Sequence, residues 1–358
     1  MTGDIGKKYL AEYLAKSDPL FEEYLQKKID EAGEINKVPA ELLKRFLETA
    51  RRGKKIRGAL TVLGYESCGG KDKKAILDAS LSIELLHAGL LVHDDFMDED
   101  KLRRGLPSLH EQFSKFGGEE KVKADYHHYG ETMAVTAGDA AFYLSWETLL
   151  RSNFPPDRLV RAGEVYAKHV VRTAYGQAMD LSNTPLTGLN NDYLLSVLRL
   201  KSAEYTGVLP LMLGAALAGE TDKKRLTAIE SFGLVFGWAF QIQDDILGMF
   251  GDEEKVGKPV GSDLREGKNT LLMLHLSQHG TAQQRAFQRK VLGNKKITKD
   301  DVLKMRQILK DAGSYDYVVN LGWKYVEEGK KQIPLITSDK KLQEILESLI
   351  VYMMERVK

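Results

Sequence analysis

Long runs of apolar residues at helical spacing are the feature that most limits the fold of this chain. Only nine prolines occur in 358 residues, so few positions interrupt a helix. Alternating, strand-like patterns are hard to find. The spacing predicts helices over Ala75–Val92, Thr132–Arg151, Leu159–Asp180, Tyr193–Ala218 and Arg225–Ile246. No low-complexity linker or short repeat divides the chain, so we expect an all-α fold, one large single-domain helical bundle over residues 1–358.

Breaks rich in glycine, proline and asparagine predict where these helices end. They fall at Cys68–Gly70, Phe116–Gly118, Asn153–Pro156, Asn183–Asn191 and Gly251–Gly267. A polar stretch, Ser114–Glu131, is predicted to connect two long helices. Its adjacent His127 and His128 suggest a metal site, but neighbouring residues on a helix do not share a face. A solvated loop is therefore the preferred interpretation.

The charge balance argues against one class of function. The 52 basic and 51 acidic residues give a net charge of +1, which does not favour nucleic-acid binding by bulk charge. Cys68 is the only cysteine, so neither an intramolecular disulfide nor a cysteine-built metal site can form. No apolar run approaches the roughly 18 residues that span a bilayer, and residues 1–25 contain no signal-peptide core. We expect a cytoplasmic protein without a transmembrane segment.

An apolar helix runs directly into the first candidate site, a cluster of acids before Asp100. On a continuing helix Asp94 lies one turn from Asp98, and Asp95 is also a neighbour of Asp98. Such acids repel each other and oppose the dipole at the helix C-terminus. A hard divalent cation such as Mg²⁺ would relieve that repulsion. A solvated acidic helix end is an equally good interpretation of this cluster taken alone.

Two arginines, Arg103 and Arg104, follow these acids in the segment Leu102–Pro107. Guanidinium groups bind phosphate oxygens through two parallel hydrogen bonds, so the pair suits a diphosphate. The alternative is that the arginines pair with the preceding acids, at small benefit on a surface.

A second helix repeats this arrangement far along the chain. The apolar segment Phe240–Leu247 carries Asp244 and Asp245, and a glycine-punctuated loop follows. The basic residues of that loop are Lys255, Lys258, Arg265 and Lys268. The spacing is not that of a Walker loop, but the loop could close over a phosphate group as a lid. Two opposed aspartate clusters fit a diphosphate held by bridging metal ions in a cavity between the two helices.

In these residues the chain resembles the trans-isoprenyl diphosphate synthases, which make geranyl, farnesyl, geranylgeranyl and longer prenyl diphosphates. The resemblance runs from about Gly53 to Thr270, followed by a compatible helical tail. The segment His87–Pro107 is similar to the first aspartate-rich motif of the family with its Arg-Arg-Gly-x-Pro trailer. The short spacing from Asp95 to Asp98 is similar to that of archaeal and eukaryotic members.

Further segments match the family in the expected order. They are Gly53–Arg57 for Gly-Lys-Arg-x-Arg, Gly138–Asp139 for Gly-Asp, Gly176–Asp180 for Gly-Gln-x-x-Asp and Lys201–Ala203 for Lys-Thr-Ala. Three positions depart from the pattern. Gly58 stands where the family usually has proline, Ser202 replaces threonine, and Gly248 replaces the third aspartate of the second motif. Asp252, further on, is a candidate for a water-mediated contact.

The resemblance implies a role for each candidate residue. Mg²⁺, as three ions per active site and replaceable by Mn²⁺, would be held by Asp94, Asp95, Asp98, Asp244 and Asp245. The allylic diphosphate would be bound by Arg103, Lys201, Lys258 and Lys268, and isopentenyl diphosphate by Lys54, Arg57, His87 and Arg104. The Lys201 carbonyl, Ser202 and Gln241 would surround the allylic carbocation. Without the motif, His87 reads as a buried structural histidine. The resemblance also implies a homodimer.

Product length is expected to depend on the helix before the first acids. In the family, bulk one or two turns before the motif stops elongation, and here those positions are Leu86, Gly89 and Leu90. Gly89 leaves space where short-chain enzymes often carry an aromatic ring. We therefore expect a product of twenty carbons or more, geranylgeranyl diphosphate first. Phenylalanine at position 89 is predicted to shorten it, unless a side chain of the next helix sets the floor.

Two other functions stay open. A terpene cyclase would share the helical fold, but that class lacks the paired basic segments represented here by Lys54, Arg57, Lys258 and Lys268. A non-catalytic regulatory subunit of a heteromeric prenyl synthase tends to lose its aspartates, whereas this chain keeps both clusters. Consumption of isopentenyl diphosphate by the purified chain alone separates these alternatives.

Overall fold

The computed structural model describes residues 3–182, 190–251 and 261–357, and these residues are almost entirely helical. The α-helices are α1 (Gly3–Ile35), α2 (Lys37–Ala50), α3 (Ile56–Ser67), α4 (Lys73–Met97), α5 (Leu109–Glu119), α6 (Tyr126–Leu150), α7 (Pro156–Leu181), α8 (Asn191–Val197), α9 (Leu209–Ala218), α10 (Lys223–Phe250), α11 (Ser262–Glu266), α12 (Leu271–His279), α13 (Ala282–Val291), α14 (Lys299–Asp311), α15 (Ser314–Ile336) and α16 (Lys340–Glu355). A π-helix, Leu198–Val208, joins α8 to α9. The predicted all-α fold is confirmed.

A short hairpin follows α4. Strands β1 (Leu102–Arg103) and β2 (Leu106–Pro107) pair antiparallel. The two residues between them, Arg104 and Gly105, have φ angles of 53° and 77°. A two-residue turn with positive φ at both positions matches the twist of a hairpin, and glycine adopts it without steric cost. The Arg-Arg-Gly segment is therefore a tight turn that presents two guanidinium groups.

The chain divides into two compact units. The N-terminal unit comprises Lys8–Val62 and Lys71–Leu159, and the C-terminal unit comprises the described residues of Met1–Lys7, Leu63–Gly70 and Val160–Lys358. The single-domain boundary of 1–358 and the cavity between the aspartate-rich helices stay predictions.

In the N-terminal unit, the core forms where α4 packs against α6. Leu81, Leu85, Ala88 and Val92 recur at helical spacing along α4 and are buried. Opposite them α6 presents small side chains such as Ala137, which let the two helix axes approach closely. Each fully buried leucine here stabilises the fold by about 1.5–3 kcal/mol. This packing fixes the C-terminal end of α4, where the first acids lie.

In the C-terminal unit, α10 packs against the π-helix and against α15. Phe232 and Phe236, one turn apart on α10, are fully buried, and their ring centroids are 6.1 Å apart. Gly329 of α15 leaves no space for a side chain, because a Cβ there would lie 2.2 Å from the Ile350 side chain. Close helix packing therefore holds α10 and its aspartates in place.

The five ranges predicted as helical are helical, within α4, α6, α7, α8 through α9, and α10, except that Arg151 is the C-cap of α6. The spacing did not distinguish the π-helix inside the fourth range. The breaks at Cys68–Gly70 and Asn153–Pro156 fall between helices, as predicted. The breaks at Asn183–Asn191 and Gly251–Gly267 lie largely outside the described residues.

The connection predicted over Ser114–Glu131 is wrong for most of its length. Only residues 120–125 connect α5 to α6, and the predicted break at Phe116–Gly118 lies inside α5. His127 and His128 lie in the first turn of α6 rather than in a loop. Their side chains are exposed, as expected of solvated residues.

One helix requires a correction to the hydropathy expectation. Over an 18-residue window α4 has a mean hydropathy of 1.6, so by length and composition alone it is apolar enough to cross a membrane. However, 72% of that window is buried inside the protein. The apolar residues of α4 therefore belong to a core helix.

Candidate active site

A cluster of cations surrounds one carboxylate in the N-terminal unit. Glu84 of α4 is 5% exposed and accepts a hydrogen bond from the Gly58 backbone N–H at 2.7 Å. Burial raises the pKa of Glu84, and the Gly58 N–H and the charges of Arg57, Lys55 and Arg104 counteract that effect. More positive than negative charge is therefore gathered here, an arrangement that suits an anionic ligand.

His87, one turn beyond Glu84 on α4, belongs to the same cluster. Desolvation, together with the charges of Arg57, Arg104 and Arg103, holds the pKa of His87 well below its ordinary value. The ring is therefore neutral at neutral pH and can donate a single N–H. Burial and the charge of Arg103 also lower the pKa of Arg104. Three of the four residues predicted for isopentenyl diphosphate thus lie together.

The loop that precedes α3 is shaped to receive Arg104. Gly53 has a φ of +138°, and a Cβ built there would lie 2.8 Å from an Arg104 guanidinium nitrogen. Any other residue would be strained and would displace the arginine. Lys54, the fourth predicted residue, follows Gly53 and is partly buried.

Lys55 anchors this loop, a role that the motif alone did not indicate. Its ammonium lies 2.6 Å from the Asp18 carboxylate and 4.0 Å from the centre of the Phe21 ring. The side chain is 3% exposed, and the backbone has a φ of 45°. A buried ion pair and a cation–π contact hold Lys55 in this strained conformation. The loop between α2 and α3 is thereby tied to α1.

The first aspartate cluster lies at the C-terminal end of α4, as predicted. Asp98 is the C-cap, and its backbone N–H donates to the Asp94 carbonyl at 2.8 Å. Asp95 is 1% exposed and Asp94 is 27% exposed. Asp95 is therefore the buried member of the cluster, whereas Asp94 and Asp98 are partly exposed.

Arg103 bridges these acids from the hairpin. Its Nε donates to Asp95 Oδ1 at 2.5 Å, and a terminal nitrogen lies 3.7 Å from Asp94 and 3.4 Å from Asp100. Burial alone would lower the pKa of Arg103, but Asp95 and the other acids raise it. The pairing of arginine and acids that the sequence left as an alternative is thus present. The Asp95 pair is buried rather than a solvated surface contact.

The second aspartate cluster lies near the C-terminal end of α10. Asp244 forms an ion pair of 2.6 Å with Arg356, which follows α16. Arg356 also donates to the Phe240 carbonyl at 2.6 Å, and its carbonyl accepts from Gln243 at 2.8 Å. The sequence analysis did not predict that Arg356 pairs with Asp244. Asp244 and Arg356 lie far apart in the sequence, so no local pattern relates them.

A line of hydrogen bonds connects the π-helix to the second cluster. Ser202 Oγ donates to Gln241 Oε1 at 2.8 Å, and Gln241 Nε2 donates to Asp245 Oδ1 at 2.9 Å. Burial and the nearby Asp263 raise the pKa of Asp245 well above its ordinary value. Three residues predicted for the site, Ser202, Gln241 and Asp245, are therefore linked by hydrogen bonds. Lys201, beside Ser202, donates to Asp180 of α7 at 2.5 Å.

Gly248, which replaces the third aspartate of the second motif, lies next to the carboxylate of Asp263. A Cβ built at Gly248 would lie 2.6 Å from Asp263 Oδ2, so the carboxylate of α11 occupies the space next to the glycine. Asp263, Asp245 and Lys268 line a small pocket. Lys268 is paired with Glu266 at 2.8 Å. Lys255, Lys258 and Asp252 lie outside the described residues.

The residues present fit divalent metal ions by the chemistry of their donors. Carboxylate oxygens are the ligands that Mg²⁺ prefers, and it commonly uses one or two of them together with substrate phosphates. Within residues 3–182, 190–251 and 261–357, no three His, Cys, Asp or Glu side chains form a ready-made metal cluster. An ion bound at Asp94 or Asp244 could take further ligands from substrate phosphates or water.

The space expected at Gly89 is filled. A Cβ at that position would lie 2.9 Å from the Phe142 ring, 3.0 Å from Ala141 Cβ and 3.1 Å from the Gly138 carbonyl, all on α6. Gly89 therefore serves the close packing of α4 on α6 and does not open a slot. Phe142 also stacks edge-on against His93, with ring centroids 5.2 Å apart.

The chain is similar to known proteins over most of its length. The polyprenyl synthetase family model matches residues 40–309. The geranylgeranyl diphosphate synthase of Sulfolobus acidocaldarius is 31% identical over 288 residues, which cover 80% of this chain and 81% of that protein. The enzyme of the same name from Methanosarcina mazei is 32% identical over 301 residues, covering 83% and 85%.

The fold is also similar to that of solved structures. A geranylgeranyl pyrophosphate synthase of Corynebacterium glutamicum, complexed with isoprenyl diphosphate and magnesium, superposes with a TM-score of 0.89 at 26% identity. The match covers 96% of this chain and 99% of that one. Because the family model spans most of the chain and relatives exceed 30% identity over most of their length, this chain belongs to the polyprenyl synthetase family, the trans-isoprenyl diphosphate synthases, and is a prenyltransferase.

Proposed function

We propose that this prenyltransferase condenses isopentenyl diphosphate with dimethylallyl, geranyl or farnesyl diphosphate to give geranylgeranyl diphosphate. The observation that carries the proposal is the cationic cluster of Arg57 and Arg104 around Glu84, with the neutral His87 ring beside it. Like charges repel when gathered at a partly buried place, and a diphosphate relieves that repulsion. The relatives named above support the twenty-carbon product.

In this proposal the cationic cluster binds isopentenyl diphosphate. Arg57 and Arg104 bind its phosphate oxygens through forked hydrogen bonds, and Lys54 adds a point charge. The neutral His87 ring donates one N–H. Glu84 compensates part of the charge and, through Gly58, fixes the start of α3. The double bond of the substrate is thereby held in one orientation for attack.

The carboxylates of Asp94, Asp95, Asp98, Asp244 and Asp245 would hold the metal, which we propose to be Mg²⁺, three ions per site, with Mn²⁺ able to replace it. When bound, the metal supplies Lewis-acid stabilisation of the leaving diphosphate. Arg103, Lys201, Lys258 and Lys268 bind the allylic diphosphate and stabilise its growing charge.

The carbocation left on the allylic carbon needs neutral dipoles that do not react with it. The Ser202 hydroxyl and the Gln241 amide, 2.8 Å apart, and the Lys201 carbonyl supply such dipoles. The hydrogen bond between Ser202 and Gln241 pre-orients these two side chains, so little reorganisation accompanies formation of the cation. The released diphosphate accepts the final proton, so the protein needs no base of its own.

We further propose that the enzyme is a cytoplasmic homodimer that associates through α6. Val135, Tyr143, Trp146 and Leu150 fall within about 80° of one another around this helix at 100° per residue. Tyr143 is 78% exposed and Leu150 is 50% exposed. Val135 is exposed as well, and Trp146 is partly exposed. A row of apolar side chains with this exposure supports burial against a second copy.

Incubation of the purified protein with labelled isopentenyl diphosphate, Mg²⁺ and each allylic primer tests the function. The dephosphorylated alcohols are then separated by chromatography. Metal-dependent formation of the twenty-carbon alcohol is expected. Absence of elongation with every primer would point to a regulatory subunit. Cyclic hydrocarbons from the allylic primer alone would point to a terpene cyclase.

A further inference from the structure

The π-helix carries a buried acid that none of the motifs includes. Glu204 lies two residues after Ser202 and is 2% exposed. Its Oε2 accepts from Arg172 Nε at 2.5 Å and lies 3.1 Å from His169 Nδ1. Its Oε1 accepts from Arg172 at 2.7 Å and from Arg199 at 2.9 Å. Both oxygens of this carboxylate therefore have two partners each, including a bidentate arginine.

These contacts tie the π-helix to one face of α7. His169, Arg172, Gly176 and Asp180 follow one another at spacings of three or four residues, so they share a face. The first two contact Glu204, and the last pairs with Lys201. A Cβ at Gly176 would lie 2.2 Å from the Lys201 backbone nitrogen. This face of α7 thus packs along the π-helix from Lys201 to Glu204.

The opposite side of the π-helix is held equally closely by α10. A Cβ at Gly237 would lie 2.3 Å from the Ala203 Cα, and a Cβ at Gly233 would lie 2.7 Å from the Val208 Cα. The π-helix is wider than an α-helix, so glycines on both neighbours are needed to seat its backbone. Van der Waals contact supplies this fit, but it does not select which residue occupies each turn.

The register of the π-helix requires a directional contact. Long π-helices are rare, and short ones concentrate at functional sites. A slip by one residue would rotate Lys201 and Ser202 away from Asp180 and Gln241. Hydrogen bonds outweigh the effect of burial and lower the pKa of Glu204 to about 2, so the carboxylate stays ionised. Separating an ionised, buried carboxylate from these partners is strongly unfavourable, so the contacts oppose such a slip.

We propose that Glu204 is a positioning residue, which fixes the register of the π-helix and thereby places Lys201 and Ser202 for the allylic substrate. Glu204 touches no reacting atom and acts through Lys201 and Ser202. The proposal rests on the proposed function for its kinetic consequence, whereas its structural consequence is independent of any activity.

The kinetic test compares Glu204→Gln with Glu230→Gln. Glu230 of α10 also faces the charge of Arg172, so the control removes the same charge in the same neighbourhood without touching the π-helix carboxylate. For Glu204→Gln we expect kcat to fall by about tenfold to a hundredfold, since small misplacements of catalytic groups have effects of that size. The KM for the allylic diphosphate should rise and the KM for isopentenyl diphosphate should not. The control should match the wild type.

The structural test is hydrogen exchange of the backbone amides of residues 198–208, measured on the full chain. Faster exchange confined to this segment is expected in Glu204→Gln. Arg199→Gln, a change at a partly exposed side chain, should give a smaller effect of the same kind and serves if Glu204→Gln does not fold. Wild-type exchange in these variants would overturn the proposal even if the wild-type protein made no product. A loss of kcat that follows only the folded fraction, with both KM values unchanged, would also overturn it.

Discussion

At the scale of single residues, Gly58 shows how a departure from the family pattern is compensated. A Cβ there would lie 1.9 Å from the Tyr13 hydroxyl, which is buried and bonded to Ser80 at 2.8 Å. The Gly58 N–H also donates to Glu84, and proline has no N–H. In this chain the usual proline would therefore remove a hydrogen bond and create a clash.

We accordingly predict that Gly58→Pro destabilises the protein by about 3 kcal/mol or more, since it leaves a buried carboxylate short of a donor. The free energy of unfolding from urea titration measures this. Gly58→Ala keeps the N–H, and it should be less harmful in a Tyr13→Phe background than in the wild type. Equal effects of the alanine change in both backgrounds would contradict the proposed clash.

The first aspartate cluster gives the second prediction at this scale. Asp94→Ala should lower kcat by two orders of magnitude or more, on the order of the loss seen when charge stabilisation is removed. Steady-state assays at saturating Mg²⁺ measure it. Asp300→Ala, which alters an exposed acid in the first turn of α14, is the matched control. Near-normal turnover of Asp94→Ala would remove the first cluster from the proposed mechanism.

At the scale of elements, the sequence predicted those features that depend on a single helix. Apolar spacing predicted α4, α6, α7 and α10, and the ends of α4 and α10 carry their acids as expected. The π-helix was not predictable, because its register depends on glycines and on Glu204 contacts between helices. A pattern along one chain segment does not report the width of the groove into which the segment packs.

The same limit explains why the expectation at Gly89 was wrong and why the contact of Arg356 was not predicted. Glycine leaves space only if the facing helix stands back, and α6 instead approaches closely. The Gly138 of the Gly-Asp motif contributes to that approach, since a Cβ there would lie 2.2 Å from the His93 ring. Arg356 reaches Asp244 because α16 returns to α10, which local sequence does not encode.

Packing of α4 on α6 also moves the product-length prediction to another residue. Phe142 fills the volume beside Gly89, so we expect Phe142→Ala, rather than a change at position 89, to alter chain length. The variant should yield alcohols longer than those of the wild type with the same primer. Tyr175→Ala removes an exposed aromatic ring of α7 and is the control. An unchanged product distribution would place the floor elsewhere.

At the scale of the whole molecule, bulk charge carries little of the function. The net charge is +1, yet cations and acids are sorted into local clusters, such as the one around Glu84. Phosphate recognition in this protein is therefore a matter of a few placed side chains. Composition argued against nucleic-acid binding by bulk charge, but it did not indicate where these clusters lie.

The association of two copies is a property of the whole molecule and gives the last prediction. Tyr143→Glu places a charge in the middle of the exposed apolar row of α6, and burying it against a second copy would require desolvation without a partner. We expect the variant to sediment as a monomer at concentrations at which the wild type is a dimer. Leu303→Glu, at another exposed apolar side chain, should leave the dimer intact. A dimeric Tyr143→Glu, or a monomeric wild type, would show that α6 is not the interface, and the exposed row would then require another explanation.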